Sequence, residues 1–306
     1  MSTSWPALPF DAWRATKETL HRYTQIVGKI QLALTPVVNH FWNVMLRVTA
    51  RGLATRALSH EGRMFDIELD FVEHQVIVRT SDGRQVAIGL RPLAVSEFRR
   101  ELFDALDSLG IRVTIWDQPV ELKTEPIAFS DDRSHADYDR EYVERFFRVL
   151  SNANGVLEEF RARFAGKSSG VGFFWGTFDL AVARYSGRPA AGSSTSTNAI
   201  EREGYSHEVS EVGFWPGDAV FPAPAFYALH YPQPDAYART LVRPPEARWE
   251  ESVHSFVLPY EECREGNLRA MALEFFQSTY EAGATLASWD RDELERAGEP
   301  RGNDAG

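Results

Sequence analysis

The sequence predicts an α+β protein with an internal duplication, in which two helix–strand–helix halves pack antiparallel sheets around a pseudo-twofold axis. The first observation is an aromatic segment at 173–184 that recurs at 41–51, with Phe, Trp, Ala and Arg at matching positions. The second is a Ser-His-Glu triplet behind each copy, at 59–61 and 206–208. The third is that apolar residues follow helical spacing in some segments and alternate in others, which indicates both helices and half-buried strands.

Composition divides the chain into a first α+β repeat, a linker, a second repeat and a tail. The linker, 117–134, is rich in Pro, Asp and Glu, and it separates the repeat at 1–116 from the repeat at 135–290. The charged tail, 291–306, contains Gly and Pro and is predicted to be disordered. The second repeat has gained a Gly/Ser/Thr-rich insertion at 186–204, which we expect to be either disordered or a lid over a site.

The amino-acid totals fit a soluble globular protein and exclude several classes of partner. The chain has 306 residues, 43% of them hydrophobic, and no apolar run reaches the roughly 20 residues that span a bilayer. Its net charge of −11 lies entirely after residue 125, so no basic face for nucleic acid is expected. The N-terminus lacks a secretory pattern, and Cys263 is the only cysteine. We therefore predict a cytoplasmic protein without disulfides.

The first half begins with a helix and continues with strands. Apolar residues at three- and four-residue steps predict a helix over 12–30, with Asp11 as its N-cap. The proline of Thr35-Pro36 ends it, and the apolar segment 39–50 is then predicted to be a strand. Alternation predicts a hairpin over 65–90.

The remaining elements follow from the same two periodicities. Helices are predicted over 95–109, where Gly110 ends the helix, over 140–165 and over 267–287. Strands are predicted at 111–115, at the aromatic segment 173–184 and at 255–258, and the proline-rich segment 221–245 is expected to form edge strands at best. Turns are predicted at 81–84 and, with aromatic residues, at 213–217.

Long motifs over nearly the whole chain resemble the bacterial family of unknown function numbered 5996. They are Trp5-Pro6, Thr19-Leu20-His21, Gln25-Ile26-Val27-Gly28-Lys29, Asn39-His40-Phe41-Trp42, Thr49-Ala50-Arg51-Gly52-Leu53, 173–181, Tyr205-Ser206-His207-Glu208, 213–217 and Gln277-Ser278-Thr279-Tyr280-Glu281-Ala282. Members often carry a histidine where this chain has Gly172, so no role of that histidine transfers here. The resemblance implies no activity.

The predicted catalytic groups are His207, Glu208 and Asp179. A histidine that titrates near neutrality beside a carboxylate can act as a general base. Neighbouring side chains of a strand point to opposite faces of the sheet. If His207 and Glu208 lie in a strand, only one of them can therefore point into a given site. Asp179 interrupts an apolar segment, where a carboxylate requires a partner. The alternative for each residue is a structural hydrogen bond or ion pair.

The predicted ligand-binding residues are attached to the repeated core. They are Arg184, Lys167, Arg51, Lys29, His40 and Trp215. If the two copies pair, the basic side chains can converge on a carboxylate or phosphate in a cleft between the halves. The expected partner is therefore a small anionic molecule, with salt bridges inside the fold as the alternative.

Other apparent motifs are weaker. A three-histidine metal site from His40, His60 and His207 lacks any recognised ligand spacing, and the acidic cluster at 135–139 lies where a helix needs a cap. The segment 166–168 imitates the end of a phosphate-binding loop but has no glycine five residues before it. Cys263 has no neighbouring histidine motif. No metal site is predicted, and the sequence leaves the cofactor unknown.

Two functions remain open from the sequence. The first is a small-molecule enzyme or ligand-binding protein that uses the polar cleft between the repeats. The second is a non-catalytic protein-interaction module that docks through the aromatic turn 213–217 and the acidic second half.

Overall fold

The computed structural model describes residues 5–122, 126–191 and 199–296, and it has the predicted α+β class. The helices are α1 (Phe10–Leu34), α2 (Val95–Ser108), α3 (Arg140–Ala162), α4 (Ala199–Gly204), α5 (Tyr260–Cys263), α6 (Leu268–Leu286) and α7 (Arg291–Leu294). The strands are β1 (Arg47–Val48), β2 (Gly52–Ala54), β3 (Leu58–His60), β4 (Arg63–Asp70), β5 (Gln75–Thr80), β6 (Gln85–Gly89), β7 (Gly172–Phe174), β8 (Asp179–Pro189), β9 (His207–Trp215), β10 (Ala225–Tyr231), β11 (Arg248–Glu250) and β12 (Ser255–Pro259).

The chain forms two compact units. The N-terminal unit consists of Pro6–Ser151 and Gly172–Asp179. The C-terminal unit consists of Asn152–Val171 and the chain from Leu180 onward, together with Trp5. Within the described segments, no helix is both long enough and apolar enough to cross a bilayer.

The sheet of the N-terminal unit is antiparallel and runs β1-β2-β4-β5-β6, with β3 also paired to β4. The predicted hairpin over 65–90 is present with one turn more than expected. The strand that starts at Arg63 turns back at 71–74, so that Phe65 pairs with Thr80, and the predicted turn at 81–84 then joins β5 to β6. Ile67 and Leu69 point into the core, as their alternation predicts.

Helix α1 is buried around almost its whole circumference, although its interior carries many polar residues. It begins after Pro9 and therefore does not use Asp11 as its N-cap. The helix over 95–109 is confirmed as α2, and Gly110 follows it with a φ of 73°, the left-handed conformation that ends many helices.

Two predicted strands of this unit are wrong. Segment 39–50 begins with a 3-10 turn in which His40 and Phe41 have positive φ, and only Arg47–Val48 joins the sheet. The Asn43 side chain stabilises this irregular backbone by accepting from Val38 N at 3.2 Å. Segment 111–115 is irregular, because its apolar residues pack into the core without pairing to a strand.

The aromatic segment 173–184 is not one strand. Strand β7 ends at Phe174, residues 175–178 form a turn, and β8 starts at Asp179. The positive φ of Phe178 makes the turn possible. In the other copy, 41–51, a turn also precedes a strand. This local likeness does not confirm the internal duplication, which stays a prediction together with the pseudo-twofold arrangement.

The C-terminal unit contains an antiparallel sheet in which β11, β12, β10, β9 and β8 follow one another. The expectation of edge strands in the proline-rich segment is wrong, because β10 is paired on both sides, with β9 and β12. Pro224 and Pro232 stand immediately outside β10, where a missing N–H breaks no ladder bond. Helix α6 packs on this sheet through apolar residues that include Phe275 and Phe276.

The insertion and the tail are ordered where the structure describes them. Strand β8 continues to Pro189 and helix α4 follows at Ala199–Gly204, so much of the insertion is regular structure. Residues 192–198 lie outside the described residues, as do 297–306, and the lid prediction stays a prediction. Helix α7 lies at the start of the predicted tail, and its Leu294 O accepts a hydrogen bond from Ala165 N at 2.7 Å.

Candidate functional site

Four polar side chains line one face of α1 in the N-terminal unit. Lys17, His21, Gln25 and Lys29 follow one another at four-residue steps, which places them on the same side of a helix. All four are buried. Burying a polar side chain costs free energy unless the side chain has a hydrogen-bond partner. The groups around these four side chains therefore indicate what each of them does.

The first part of the row positions two loops. His21 Nε2 lies 3.1 Å from Trp175 O and 3.0 Å from Gly176 O, so this nitrogen donates to the turn behind β7. Gln25 donates to Val120 O at 2.8 Å and accepts from Val120 N at 2.9 Å. Burial holds the pKa of His21 well below its ordinary value, with the charge of Lys17 acting in the same direction. The imidazole is therefore a neutral donor at neutral pH.

Trp175 packs directly against the same face. Its indole Nε1 donates to Val44 O at 2.8 Å, which fixes the plane of the ring. A Cβ atom on Gly28 would lie only 2.3 Å from that ring. Glycine at position 28 is therefore what allows Trp175 to reach the surface of α1 beside Lys29.

Lys29 lies between two indole rings. Its Nζ is 4.7 Å from the centroid of the Trp116 ring and 5.9 Å from that of Trp175, and only 5% of the residue is exposed. Among the described residues it has no ion pair and no hydrogen bond. Burial lowers the pKa of Lys29 to about 8, against the opposing charges of Asp117 and Glu121. Trp116, in contrast, is 67% exposed.

Asp117 connects this lysine centre with a basic cavity. Its carboxylate accepts from Arg99 Nε at 2.5 Å and from Ser130 N at 3.0 Å. Both residues line a cavity of about 530 Å³, whose walls also include Arg100 and Arg133. Within the described part of the chain, neither Arg100 nor Arg133 has an ion pair. The cavity therefore presents the guanidinium groups of Arg100 and Arg133 beside Asp117, and the carboxyl group of Glu97 also belongs to its wall.

The other predicted site residues of this unit have structural partners. Arg51 donates to Asp70 at 2.7 Å and lies 3.5 Å from Glu73. His40 is buried in the 3-10 turn against Trp42, with ring centroids 5.2 Å apart. Asp179 is buried and accepts from the Thr177 hydroxyl.

Glu208 of the C-terminal unit is part of an ion-pair network. Its Oε2 accepts from Arg188 Nη2 at 2.6 Å and from Ser186 Oγ at 2.9 Å. Arg188 also donates to the carbonyls of Ala287 and Ser288 at the end of α6. The network thus ties the sheet to the C-terminus of that helix, a favourable place for a cation.

The remaining predicted residues of the C-terminal unit lie in separate surroundings. His207 starts β9, with Nδ1 3.1 Å from Ser206 Oγ, and alternation turns it away from the face that carries Glu208. Lys167 is exposed and lies over the Tyr185 ring. The Trp215 ring stacks on Phe221.

Arg184 is fully buried in the C-terminal unit. Its guanidinium lies 3.5 Å from the Phe160 ring centroid and 4.5 Å from that of Tyr280, and Nη2 donates to Phe160 O. Burial lowers the pKa of Arg184 to about 9. Its Nε and Nη1 have no hydrogen-bond partner among the described residues.

The sequence analysis names Lys29 and Arg184 as candidate site residues but does not name the polar groups around them, and their roles stay predictions. The signal for His21 and Gln25 was available, because polar residues at four-residue steps interrupt an otherwise apolar helix. Trp116 and Asp117 carry no comparable signal. In the segments that the structure describes, no three His, Cys, Asp or Glu side chains are arranged to hold a metal ion.

Comparison with known proteins identifies a family and no individual relative. Neither the curated proteins nor the solved structures contain a match to this chain. A protein-family model does match over residues 5–296, and its description is a family of unknown function, DUF5996. Because that match covers nearly the whole sequence, the chain belongs to the DUF5996 family.

Proposed function

We propose that the protein is a small-molecule-binding protein or enzyme whose functional group is the amine of Lys29. The observation that carries the proposal is that Lys29 is buried between Trp116 and Trp175 and forms no ion pair with a carboxylate among the described residues. A structural lysine is normally paired when it is buried, because an unpaired ammonium group loses its hydration without compensation. The proposed centre belongs to the N-terminal unit alone.

The surroundings of Lys29 favour a reactive amine. With a pKa of about 8, about a tenth of the side chain is the free amine at pH 7, against less than about a thousandth for an ordinary lysine. A desolvated lysine of this kind is the usual nucleophile toward carbonyl compounds. The expected step is attack of Nζ on the carbonyl carbon, with loss of water to give an imine.

The basic cavity favours a ligand with negative charge. Among the described residues Arg100 and Arg133 form no ion pair, whereas Arg99 pairs with Asp117. Guanidinium groups bind carboxylates and phosphates through paired N–H donors. We therefore expect a small molecule that carries both a carbonyl group and an anionic group, which agrees with the small anionic partner expected from the sequence.

The test uses pyridoxal 5′-phosphate as a probe, since it combines an aldehyde with a phosphate. The full chain is incubated with the probe, reduced with borohydride and digested, and labelled lysines are located by mass spectrometry. The sequence contains four lysines, at positions 17, 29, 123 and 167. We expect Lys29 to be labelled before the exposed Lys167, and Lys29→Gln to lose that label alone.

Pyridoxal without the phosphate is the matched control. It should label Lys29 several-fold more slowly, and Arg100→Ala with Arg133→Ala should remove the difference between the two probes. Equal labelling of Lys29 and Lys167 by both probes would disprove the proposal. In that case the exposed Trp116 becomes the better candidate for a docking residue, as in the interaction-module alternative.

A further inference from the structure

A row of buried polar residues crosses three strands of the C-terminal unit. Ser210 of β9 is the register partner of Arg184 on β8 and of His230 on β10. Directly opposite residues of an antiparallel sheet have their side chains on the same face, about 5 Å apart. The three side chains are therefore neighbours on one face, and their exposed fractions are 0%, 1% and 3% in strand order.

Each member of the row has polar atoms without a partner. Among the described residues, no hydrogen bond is made by Arg184 Nε and Nη1, Ser210 Oγ, or either ring nitrogen of His230. Two aromatic residues beside His230 belong to the same set, because Tyr237 OH and Trp289 Nε1 also have no hydrogen-bond partner in the described part of the chain. Their rings lie 5.9 Å and 5.0 Å from the His230 ring.

Native proteins rarely leave so many neighbouring buried groups unsatisfied. Each such group costs about 1–3 kcal/mol, and an unpaired buried charge costs more. The nearby acids do not relieve Arg184. Glu281 and Glu295 act on it electrostatically, but both carboxylates pair with Arg291 instead. Glu208, which acts on His230, pairs with Arg188.

The chemistry of the row points to an acceptor-rich occupant. The guanidinium and the indole can only donate hydrogen bonds, and the hydroxyls and the neutral imidazole can each donate one. One full positive charge is present, from Arg184. An occupant that accepts several hydrogen bonds and carries one negative charge pairs with these donors and neutralises Arg184. It does not satisfy the second ring nitrogen of a neutral His230, which can only accept a hydrogen bond.

Close packing limits the size of this occupant. A Cβ atom on Gly283 of α6 would lie 2.3 Å from His230 Nδ1. The Phe160 ring covers Arg184 at 3.5 Å. A substrate-sized molecule does not fit between such neighbours, whereas an ion of one to four heavy atoms needs little space.

We propose that Arg184, Ser210 and His230, with Trp289 and Tyr237, form a binding site for a small monovalent inorganic anion such as chloride or nitrate. The site is independent of the Lys29 centre. The bound anion would hold α6 on the sheet, because its ligands come from β8, β9, β10, the 3-10 turn Tyr237–Arg239 and the chain directly after α6.

Thermal unfolding of the full chain tests the site. The unfolding midpoint is measured in sodium gluconate, and chloride or nitrate replaces gluconate at constant ionic strength. Because gluconate is too large for the row, we expect the small anions to raise the midpoint with a saturable dependence on concentration. Equal midpoints in gluconate, chloride and nitrate would overturn the proposal and leave buried water as the partner of the row.

Variants separate the site from general salt effects. Trp289→Phe keeps an aromatic ring and removes one donor, so the half-saturating anion concentration should rise at least several-fold. Arg184→Lys should abolish saturation. Arg264→Gln is the matched control, because Arg264 belongs to the same unit and pairs with Glu261. An anion response that survives in Arg184→Lys and Trp289→Phe would also overturn the proposal.

Discussion

The ammonium group of Lys29 lies 4.7 Å from the centre of the Trp116 ring, and no carboxylate among the described residues forms an ion pair with it. A cation over an indole face gains about 0.5–2 kcal/mol, which is less than an ammonium loses on leaving water. The contact therefore holds the side chain in place without fully stabilising its charge. That imbalance is the origin of the lowered pKa and can be measured.

The first prediction concerns stability at alkaline pH. Because the folded pKa of Lys29 is about 8 and the unfolded value is 10.5, the unfolded chain binds more protons between these values. The free energy of unfolding should therefore rise from pH 8 to pH 10.5 through this group, by up to about 3 kcal/mol. The free energy of unfolding of Lys29→Met, measured with urea, should not show this rise. A parallel pH profile for the variant and the wild type would contradict the assigned pKa.

The second prediction tests the cover over Lys29. Trp116→Ala should admit water to the amine and move the pKa of Lys29 back toward that of an ordinary lysine. Reductive methylation with ¹³C-formaldehyde labels the four lysines, and NMR chemical shifts follow each titration. The half-buried Trp249 provides a control, since its ring contacts Tyr237 and Phe256 instead. If Trp116→Ala leaves the titration unchanged, the indole does not shield the amine.

The third prediction concerns Gly28. An alanine there would place Cβ 2.3 Å from the Trp175 ring, so the ring or the helix must move. We expect Gly28→Ala to reduce the free energy of unfolding by about 1–3 kcal/mol, as overpacking typically does. Gly155→Ala is the control, because its Cβ would meet only the end of the Arg269 side chain at 3.5 Å. That change should be neutral or stabilise α3 by up to about 1 kcal/mol.

The fourth prediction concerns His230 in a gluconate buffer. Burial lowers the pKa of His230 to about 4, so the native state stays neutral while the unfolded chain takes up a proton below pH 6.5. The free energy of unfolding therefore contains the full contribution of His230 above pH 6.5, and it falls by up to about 3 kcal/mol as the pH is lowered toward 4. His230→Phe should remove this loss, whereas the exposed His254→Gln should follow the wild-type curve. An acid profile shared by all three proteins would refute the assignment.

Sequence periodicity predicted the long helices well and the short irregular elements poorly. The boundaries of α2 and α3 agree with the predicted helices within a few residues, because each has a strong apolar face. The strand predicted at 39–50 fails at His40 and Phe41, whose positive φ no propensity scale anticipates. At β10 the error was the reverse, because the many prolines predicted at best an edge strand where a central strand is present. The prolines stand at the two ends of β10 and do not interrupt it.

The candidate site was predictable only in part. Lys29 and Arg184 stand out because they accompany the repeated aromatic segments. Trp116 comes from an irregular segment and Asp117 from the predicted linker, and both meet Lys29 only through the tertiary fold. Likewise, the alignment of Arg184 with His230 depends on strand register across β8, β9 and β10, which one sequence does not specify.

The contact between Gly283 and His230 has an evolutionary consequence. A helix residue without a side chain is what makes room for an imidazole on β10, so neither position is free to change alone. Across the DUF5996 family, a larger residue at position 283 should therefore occur only with a smaller one at position 230. Members that keep both residues are the ones in which to look for the same buried polar row.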